Sequence, residues 1–357
     1  MTFLKPSMNS IHILGVGAMG GIVAHELMAL ANRSAITLLF RNEDKARKFQ
    51  NNNNSTLVLK KTYLDPIAME SNKYSSASPE SLTGTLETLI VTTKTYQTKS
   101  ALEPYLPLIT PDTNIVLLQN GLGVSEELYK EVWPDVNTRP NLFQGVINHS
   151  GYINSDDGDN YEIIQAGKGD IFIARAPRDF KTATIKEQQD VGDLPDFLQQ
   201  LVEADLNTTV LSFSDLLVYQ IRKFAVNYTC NSTTSILDCM NGELDLQETA
   251  KYFRDLLNEV LAVFFKTKPV LLTNPKTDEL LNIDYLVDFC LYVSTVLHAK
   301  NSSSMRQDTL NLRDTEVDYL SGYVVREAEE RGLQAPYSRM LTNLVKMRLE
   351  LNRNRAK

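Results

Sequence analysis

Gly15-Val16-Gly17-Ala18-Met19-Gly20 follows at once on the largely apolar run Ile11–Leu14 and opens a helix-like run from Gly20 to Asn32. Each glycine answers a separate demand. Gly15 permits a tight turn out of a strand, Gly17 lets the backbone approach a pyrophosphate, and Gly20 lets helix and strand pack closely. The N–H groups at the start of the helix then face the phosphate charge. Val16, Ala18 and Met19 complete the candidate cofactor-binding turn. The bland alternative is a glycine turn of structural use only. The strand before it and the helix after it favour the dinucleotide.

Outward from this turn, short β-branched runs recur at Ile36–Phe40, Thr56–Leu59, Thr88–Thr92 and Asn114–Leu118. Strand, helix, strand at this spacing predicts βαβ units and a mostly parallel sheet. The continuous apolar run Leu89-Ile90-Val91 fits a sheet covered on both faces. Arg41 directly follows the second strand. An acidic residue at that place binds a ribose 2′-hydroxyl, whereas an arginine suits a 2′-phosphate through charge-assisted hydrogen bonds. With Lys45 one turn on, Arg41 predicts NADPH/NADP+ rather than NAD; a surface arginine at a strand end is the alternative. Lys94 closes the strand Thr88–Thr93, and Gln119-Asn120-Gly121 follows Ile115–Leu118. Strand C-termini of a doubly wound sheet face the ligand. Lys94 therefore reads equally as a ligand cation or a solvated lysine, and Asn120 as a ligand residue or part of an Asn-Gly turn.

Further strands are predicted at Gln144–His149, Tyr161–Gln165, Asp170–Ala174 and Thr208–Phe213, the first two joined as a hairpin through the polar stretch Asn154–Asn160. Asn51–Ser55 reads as a solvated loop. After Phe213 the texture changes to helical periodicity with few glycines, so the domain boundary falls there. Tyr252–Phe265 carries apolar residues at three-four spacing, suited to an amphipathic helix. The expected architecture is α/β: a doubly wound nucleotide-binding sheet over residues 1–213, followed by an all-α domain over residues 214–357.

The composition agrees with two soluble domains. The chain has 357 residues, 43% hydrophobic and 22% charged, against roughly 150 residues per domain. Lys plus Arg is 36 and Asp plus Glu is 44, giving a formal charge of −8. A net acidic chain with no long basic run is poorly suited to nucleic acid. Three cysteines without a C-x-x-C pair, and four histidines without zinc spacing, give no metal site and no disulfide framework. A reducing compartment, the cytoplasm, is expected. Met1–Ser10 has no apolar core of a secretory signal, and apolar runs stop well short of ~18 residues, so no membrane span is expected.

The helical half carries polar residues where a helix would otherwise be bland. Lys223, Asn227 and Asn231 recur every four residues on the segment Asp215–Cys239, close to one helix face. Asparagine is a mediocre helix former. The stripe is therefore either a reader of a polar ligand or an incidental solvent face. Asn301 to about Arg331 reads as one long helical run, with Ser304 and Gln307 in capping-box spacing. Ser304 either caps that helix or, with the N–H groups there, meets a carboxylate. Glu316 would lie about three turns on, where an acidic side chain is usually solvated.

Taken together, Gly15–Gly20, Arg41, Thr92-Thr93-Lys94, Gln119-Asn120-Gly121, Lys223-x3-Asn227-x3-Asn231, Asn301-x2-Ser304-Met305-x-Gln307-Asp308 and Thr315-Glu316 resemble the ketopantoate reductases, the NADP-dependent 2-dehydropantoate 2-reductases of pantothenate synthesis. The resemblance spans about Ile11 to Leu351 and is nearest the fungal branch, particularly at Thr92–Thr98 and Asn301–Thr309. It implies a Rossmann domain followed by a helical one, and NADPH-dependent reduction of 2-dehydropantoate to (R)-pantoate. It assigns Lys223 as general acid and Glu316 as the acidic residue of the catalytic site. Asn120, Asn227, Asn231, Asn301 and Ser304 become substrate contacts, with Asn120 and Glu316 also near the cofactor. Arg41 and Lys94 become cofactor cations. A homodimer is compatible with this reading. Another 2-keto acid or β-hydroxyacid reductase on the same plan, or an NADP-sensing regulator without catalysis, is the alternative.

Overall fold

The computed structural model describes residues 9–154 and 161–357. Met1–Met8 and residues 155–160, most of the expected hairpin connection, lie outside them. The chain divides into two compact units. The first takes the described residues up to Gln119 and Ser125–Phe213; the second takes Asn120–Val124 and Ser214–Lys357. A single cut after Phe213 thus misses the five-residue excursion at Asn120–Val124.

Twelve strands are formed by the described residues of the first unit: β1 Ser10–Leu14, β2 Ala35–Leu39, β3 Thr56–Lys61, β4 Ala68–Lys73, β5 Ser75–Ala77, β6 Thr88–Val91, β7 Asn114–Leu117, β8 Asn141–Ile147, β9 Ser150–Ile153, β10 Glu162–Gly167, β11 Ile171–Arg175 and β12 Thr208–Val210. Eight make one sheet in the order β12-β11-β8-β7-β6-β1-β2-β5. Its pairs are parallel from β5 to β8. Chain order reverses between β1 and β6, which defines the switch point of a doubly wound sheet. Leu89, Ile90 and Val91 of β6 are fully buried, as a strand covered on both faces requires.

The expected hairpin is corrected. β8 pairs antiparallel with β11, and β10 pairs antiparallel with β9, a strand the sequence reading missed. β4-β3-β10-β9 form a second, four-stranded sheet. β4 alternates half-buried and exposed residues in Ala-Met-Glu-Ser-Asn-Lys, a weak β pattern that only pairing with β3 stabilises.

This second sheet explains the first helix, Ala18–Met28. Residues Gly20–Leu27 are all buried. A Cβ on Gly21 would overlap the Ile163 side chain of β10, so the glycine sets how closely helix and sheet approach. Burial on all sides also encloses His25 and Glu26, and buried charges need partners. Lys61 of β3 supplies one at 2.8 Å from Glu26. Glu70 and Asn72 of β4 each reach His25 Nε2 at 3.1 Å.

From Phe213 onward the described residues form helices and no strand. The helix Thr249–Thr267 buries Phe253, Leu256, Leu257, Val260, Leu261 and Phe264, the face its three-four spacing specifies. Each such side chain contributes roughly 1.5–3 kcal/mol on burial. Among the described residues no helix is long and apolar enough to cross a membrane.

Candidate functional site

In the first unit the glycine turn shows a distinct physical constraint at each glycine. Gly15 has φ +102°, and a Cβ there would stand 2.7 Å from Thr93 N. A Cβ on Gly20 would collide with the Gly15 carbonyl and lie 2.5 Å from Thr92 Oγ1. A Cβ on Gly17 would meet no atom within 4 Å, so the backbone there is open to close approach. Gly17 caps the first helix in extended conformation, with no side-chain cap. The helix start presents its N–H groups and dipole in the manner that binds phosphate. Val16, Ala18 and Met19 pack partly buried against the core below. These residues fit the diphosphate of a dinucleotide.

Two residues given no role by the sequence reading brace this turn. Thr92 Oγ1 donates to the Gly15 carbonyl at 2.6 Å. Gln119 Nε2 donates to Thr93 O at 2.7 Å and to Thr98 Oγ1 at 2.6 Å, tying the end of β7 to the loop after β6. Their place at strand C-termini beside the switch point was the available signal. Lys94, in that same loop, is half-buried and precedes the 3-10 turn Thr95–Gln97. Arg41 is exposed, two residues beyond β2 and just before Asn42, which caps the helix Glu43–Asn52 by accepting from Lys45 N at 3.0 Å. Arg47 and Lys48, the next cations of that helix, are held by Glu43 and Asp44 one turn back. Asn51 and Asn52 end the helix rather than lie in a loop; Asn54 and Ser55 make the turn at positive φ.

At the other end of the large sheet a pocket of about 260 Å³ opens by the strand N-termini, among Asn9, Ser10, Glu87, Asn114 and Asp196. Two carboxylates and the wrong strand ends make it a poor host for a phosphate.

In the second unit, the helix Phe213–Val226 runs straight into a π-helical turn, Asn227–Asn231, and then the helix Ser232–Leu237. Such a turn shifts the side-chain register inside a continuous helix and is frequent at functional sites. Phe224, Ala225 and Tyr228 are buried on one face, while Lys223, Asn227 and Asn231 are half-buried on another. Asn231 Nδ2 donates to Asn227 Oδ1 at 3.1 Å and lies 3.5 Å from Ser304 Oγ. The structure thus joins Asn227, Asn231 and Ser304.

Ser304 is not the cap of its helix. Ser303 is, accepting from Arg306 N at 3.1 Å, and Ser304 is the exposed first residue of the helix Ser304–Leu310. The single long helix expected from Asn301 to Arg331 is also corrected. It stops at Leu310; Leu312 takes φ +58°, and Arg313 N donates back to the Asp308 carbonyl at 2.8 Å. No glycine or proline marks that turn, and leucine seldom adopts positive φ, so no local residue announces it. Glu316 therefore opens a separate 3-10 turn, Glu316–Tyr319, and is buried instead of solvated. Asn301 is exposed, and its carbonyl accepts from Asn241 N at 3.0 Å.

Asn120 enters this unit on the Asn120–Val124 excursion. Gly121 has φ +82°, and Leu122 N donates to the Tyr319 carbonyl at 3.0 Å. The cysteines take no part. Burial pushes the Cys230 thiol up to about 11 and that of Cys290 up to about 12, so neither is a thiolate near neutral pH.

A doubly wound sheet with a phosphate-type glycine turn, joined in sequence to an all-helical unit bearing a lysine and an amide cluster, defines a two-unit dinucleotide-binding protein. Residues 11–178 match the family Ketopantoate reductase PanE/ApbA, and residues 215–349 match its C-terminal counterpart. The chain belongs to the ketopantoate reductase family. It is 35% identical to a probable 2-dehydropantoate 2-reductase of Schizosaccharomyces pombe, over 98% of this chain and 99% of that one. It is 34% identical to the 2-dehydropantoate 2-reductase of Saccharomyces cerevisiae, over 98% and 97%. D-mandelate dehydrogenase, solved with NADH and anilino(oxo)acetate, shares the fold with TM-score 0.73 at 22% identity, covering 96% of this chain and 99% of that one.

Proposed function

We propose that the protein reduces 2-dehydropantoate to (R)-pantoate with NADPH. The hydrogen-bonded set Asn227, Asn231 and Ser304, which begins one turn beyond Lys223, carries the reading, because it gathers donors for a carboxylate and hydroxyls beside a cation. A reduced nicotinamide supplies the hydride to the ketone carbon. Lys223 stabilises the negative charge that grows on the ketone oxygen and delivers the proton there, which completes the alcohol. Asn120, Asn227, Asn231, Asn301 and Ser304 bind and orient the substrate. Buried Glu316 accepts from a substrate hydroxyl. Holding the ketone in one orientation replaces a bimolecular encounter by an oriented transfer.

In the first unit Gly15–Gly20 cradle the pyrophosphate, and Arg41, with Lys94, supplies the charge. An exposed arginine at the end of β2 supports a 2′-phosphate and hence NADP. An acidic chain that binds two anions needs cations at each of them: Arg41 and Lys94 serve the cofactor on the first unit, and Lys223 serves the substrate on the second. A homodimer and cytoplasmic residence belong to the same reading.

The test is NADPH oxidation by the purified protein with 2-dehydropantoate, beside other branched 2-keto acids and beside NADH. Turnover with 2-dehydropantoate and NADPH well above the other pairs is expected. Equal turnover of several 2-keto acids would make the protein a general 2-keto acid reductase, and none at all would point to a nucleotide sensor.

A further inference from the structure

Thr234 lies three residues beyond Asn231, on the helix Ser232–Leu237, and is fully buried. Its hydroxyl is hydrogen-bonded to Ser303 Oγ at 2.7 Å. The same oxygen stands 2.9 Å from the carbonyl of Cys230 and 3.2 Å from that of Asn231. Ser303, also buried, in turn caps the helix that Ser304 begins. One side chain therefore touches the backbone of Asn231 and the residue preceding Ser304. Those are the two residues whose side chains approach to 3.5 Å across the proposed substrate site.

A second clamp holds the loop just before Ser303. Asn241 N donates to the Asn301 carbonyl at 3.0 Å, and Gly242 N to the Ala299 carbonyl at 2.9 Å. A Cβ on Gly242 would stand 2.9 Å from Ala299 Cβ and 2.9 Å from its carbonyl oxygen. The loop is thus pinned by backbone on one side and by the Thr234–Ser303 hydroxyl pair on the other. The backbone clamp lies at Asn301, and the hydroxyl pair lies between the helix that follows Asn231 and the residue before Ser304.

We propose that Thr234 is a positioning residue for the substrate site, acting through Ser303 to set the spacing between Asn231 and Ser304. The inference rests on the reading of these two residues as substrate contacts. Valine has threonine's shape without its hydroxyl, so Thr234→Val removes the hydrogen bond and keeps the packing. Displacement of a binding group by a fraction of an ångström weakens the oriented complex, and 1 Å costs on the order of 100-fold.

The experiment measures steady-state NADPH oxidation with 2-dehydropantoate and, separately, the dissociation constant of NADPH by fluorescence titration. For Thr234→Val, KM for 2-dehydropantoate is expected to rise about tenfold with a smaller change in kcat and an unchanged NADPH dissociation constant. Thr234→Ser, which restores the hydroxyl, is expected to return KM to within about twofold of wild type. A wild-type KM in Thr234→Val overturns the proposal, as does a parallel loss of NADPH binding, which would mark a global structural role. If Thr234→Val does not fold, Ser303→Ala breaks the same pair from the loop side and is judged by the same KM criterion. Failure of wild-type protein to turn over 2-dehydropantoate would instead sink the functional reading itself.

Discussion

The amide of Leu122 donates to the carbonyl of Tyr319 at 3.0 Å, three residues beyond Glu316. That bond ties the Asn120–Val124 excursion to the turn that carries the buried acid. Between Asn120 and Leu122 sits Gly121 at φ +82°, where a Cβ would lie 2.7 Å from the same Tyr319 oxygen. Gly121→Ala is expected to cost about 1–3 kcal/mol of stability, the scale of a side chain held in a left-handed conformation. It should also raise KM for the keto acid by displacing Asn120. Thermal melting and steady-state kinetics check this; an alanine variant with wild-type values of both would refute the tie.

Gly17 and Gly20 should separate stability from nucleotide binding. Gly20→Ala drives a methyl into the Gly15 carbonyl and Thr92, so the first unit is expected to lose about 1–3 kcal/mol, the range of overpacking. Gly17→Ala meets nothing within 4 Å, so the melting temperature should hold while NADPH affinity falls. If Gly17→Ala binds NADPH as tightly as wild type, the backbone at Gly17 does not approach the pyrophosphate.

Arg41→Ala is expected to weaken NADPH by about tenfold to 100-fold, the value of a lost charge-assisted hydrogen bond set, and to leave NADH nearly unchanged. The observation behind it is the exposed guanidinium at the end of β2. Titration of both cofactors decides it. Equal losses for the two would remove the 2′-phosphate from the account.

Lys223→Ala is expected to lower kcat by at least about 100-fold, the scale of general acid catalysis, with NADPH still bound. Near-normal turnover in that variant would take the proton donor elsewhere.

Stability should fall as pH drops below about 6.5. In His149 the Nδ1 accepts from Gly169 N at 3.0 Å, and Nε2 faces the Leu206 carbonyl at 3.1 Å. That geometry holds one neutral tautomer, and burial lowers the pKa of His149, as it does those of His12 and His25. A folded-state pKa below the unfolded one means that the unfolded chain binds the proton more readily. The contribution is therefore fully present above about 6.5 and is lost as pH falls below it. Burial raises the pKa of Glu26, which runs the opposite way. The specific control is His149→Gln, whose amide supplies one donor and one acceptor. It should flatten the pH dependence of the melting temperature. An equal slope in wild type and variant would show that His149 does not titrate with unfolding.

Much of the fold was legible in local sequence. Gly15–Gly20 sit between a strand and a helix, and the β-branched runs that became β1, β2, β3, β6 and β7 announced themselves by composition and period. Lys223, Asn227 and Asn231 stood out because asparagine is costly inside an apolar helix. The chemistry of these groups belongs to the residues themselves, so the sequence by itself determined a nucleotide turn, a sheet half, a helical half and a polar stripe. Tertiary structure decided what has no local cause. β4 and β9 exist by pairing. Ser303 rather than Ser304 caps its helix, and it is hydrogen-bonded to Thr234 of another helix. Glu316 is buried on a separate turn beyond the break at Leu312, a residue with no turn preference. Asn120–Val124 belongs with residues nearly two hundred positions away because Tyr319 accepts its backbone hydrogen bond. Such contacts are long-range, and their free energy appears only when the segments meet.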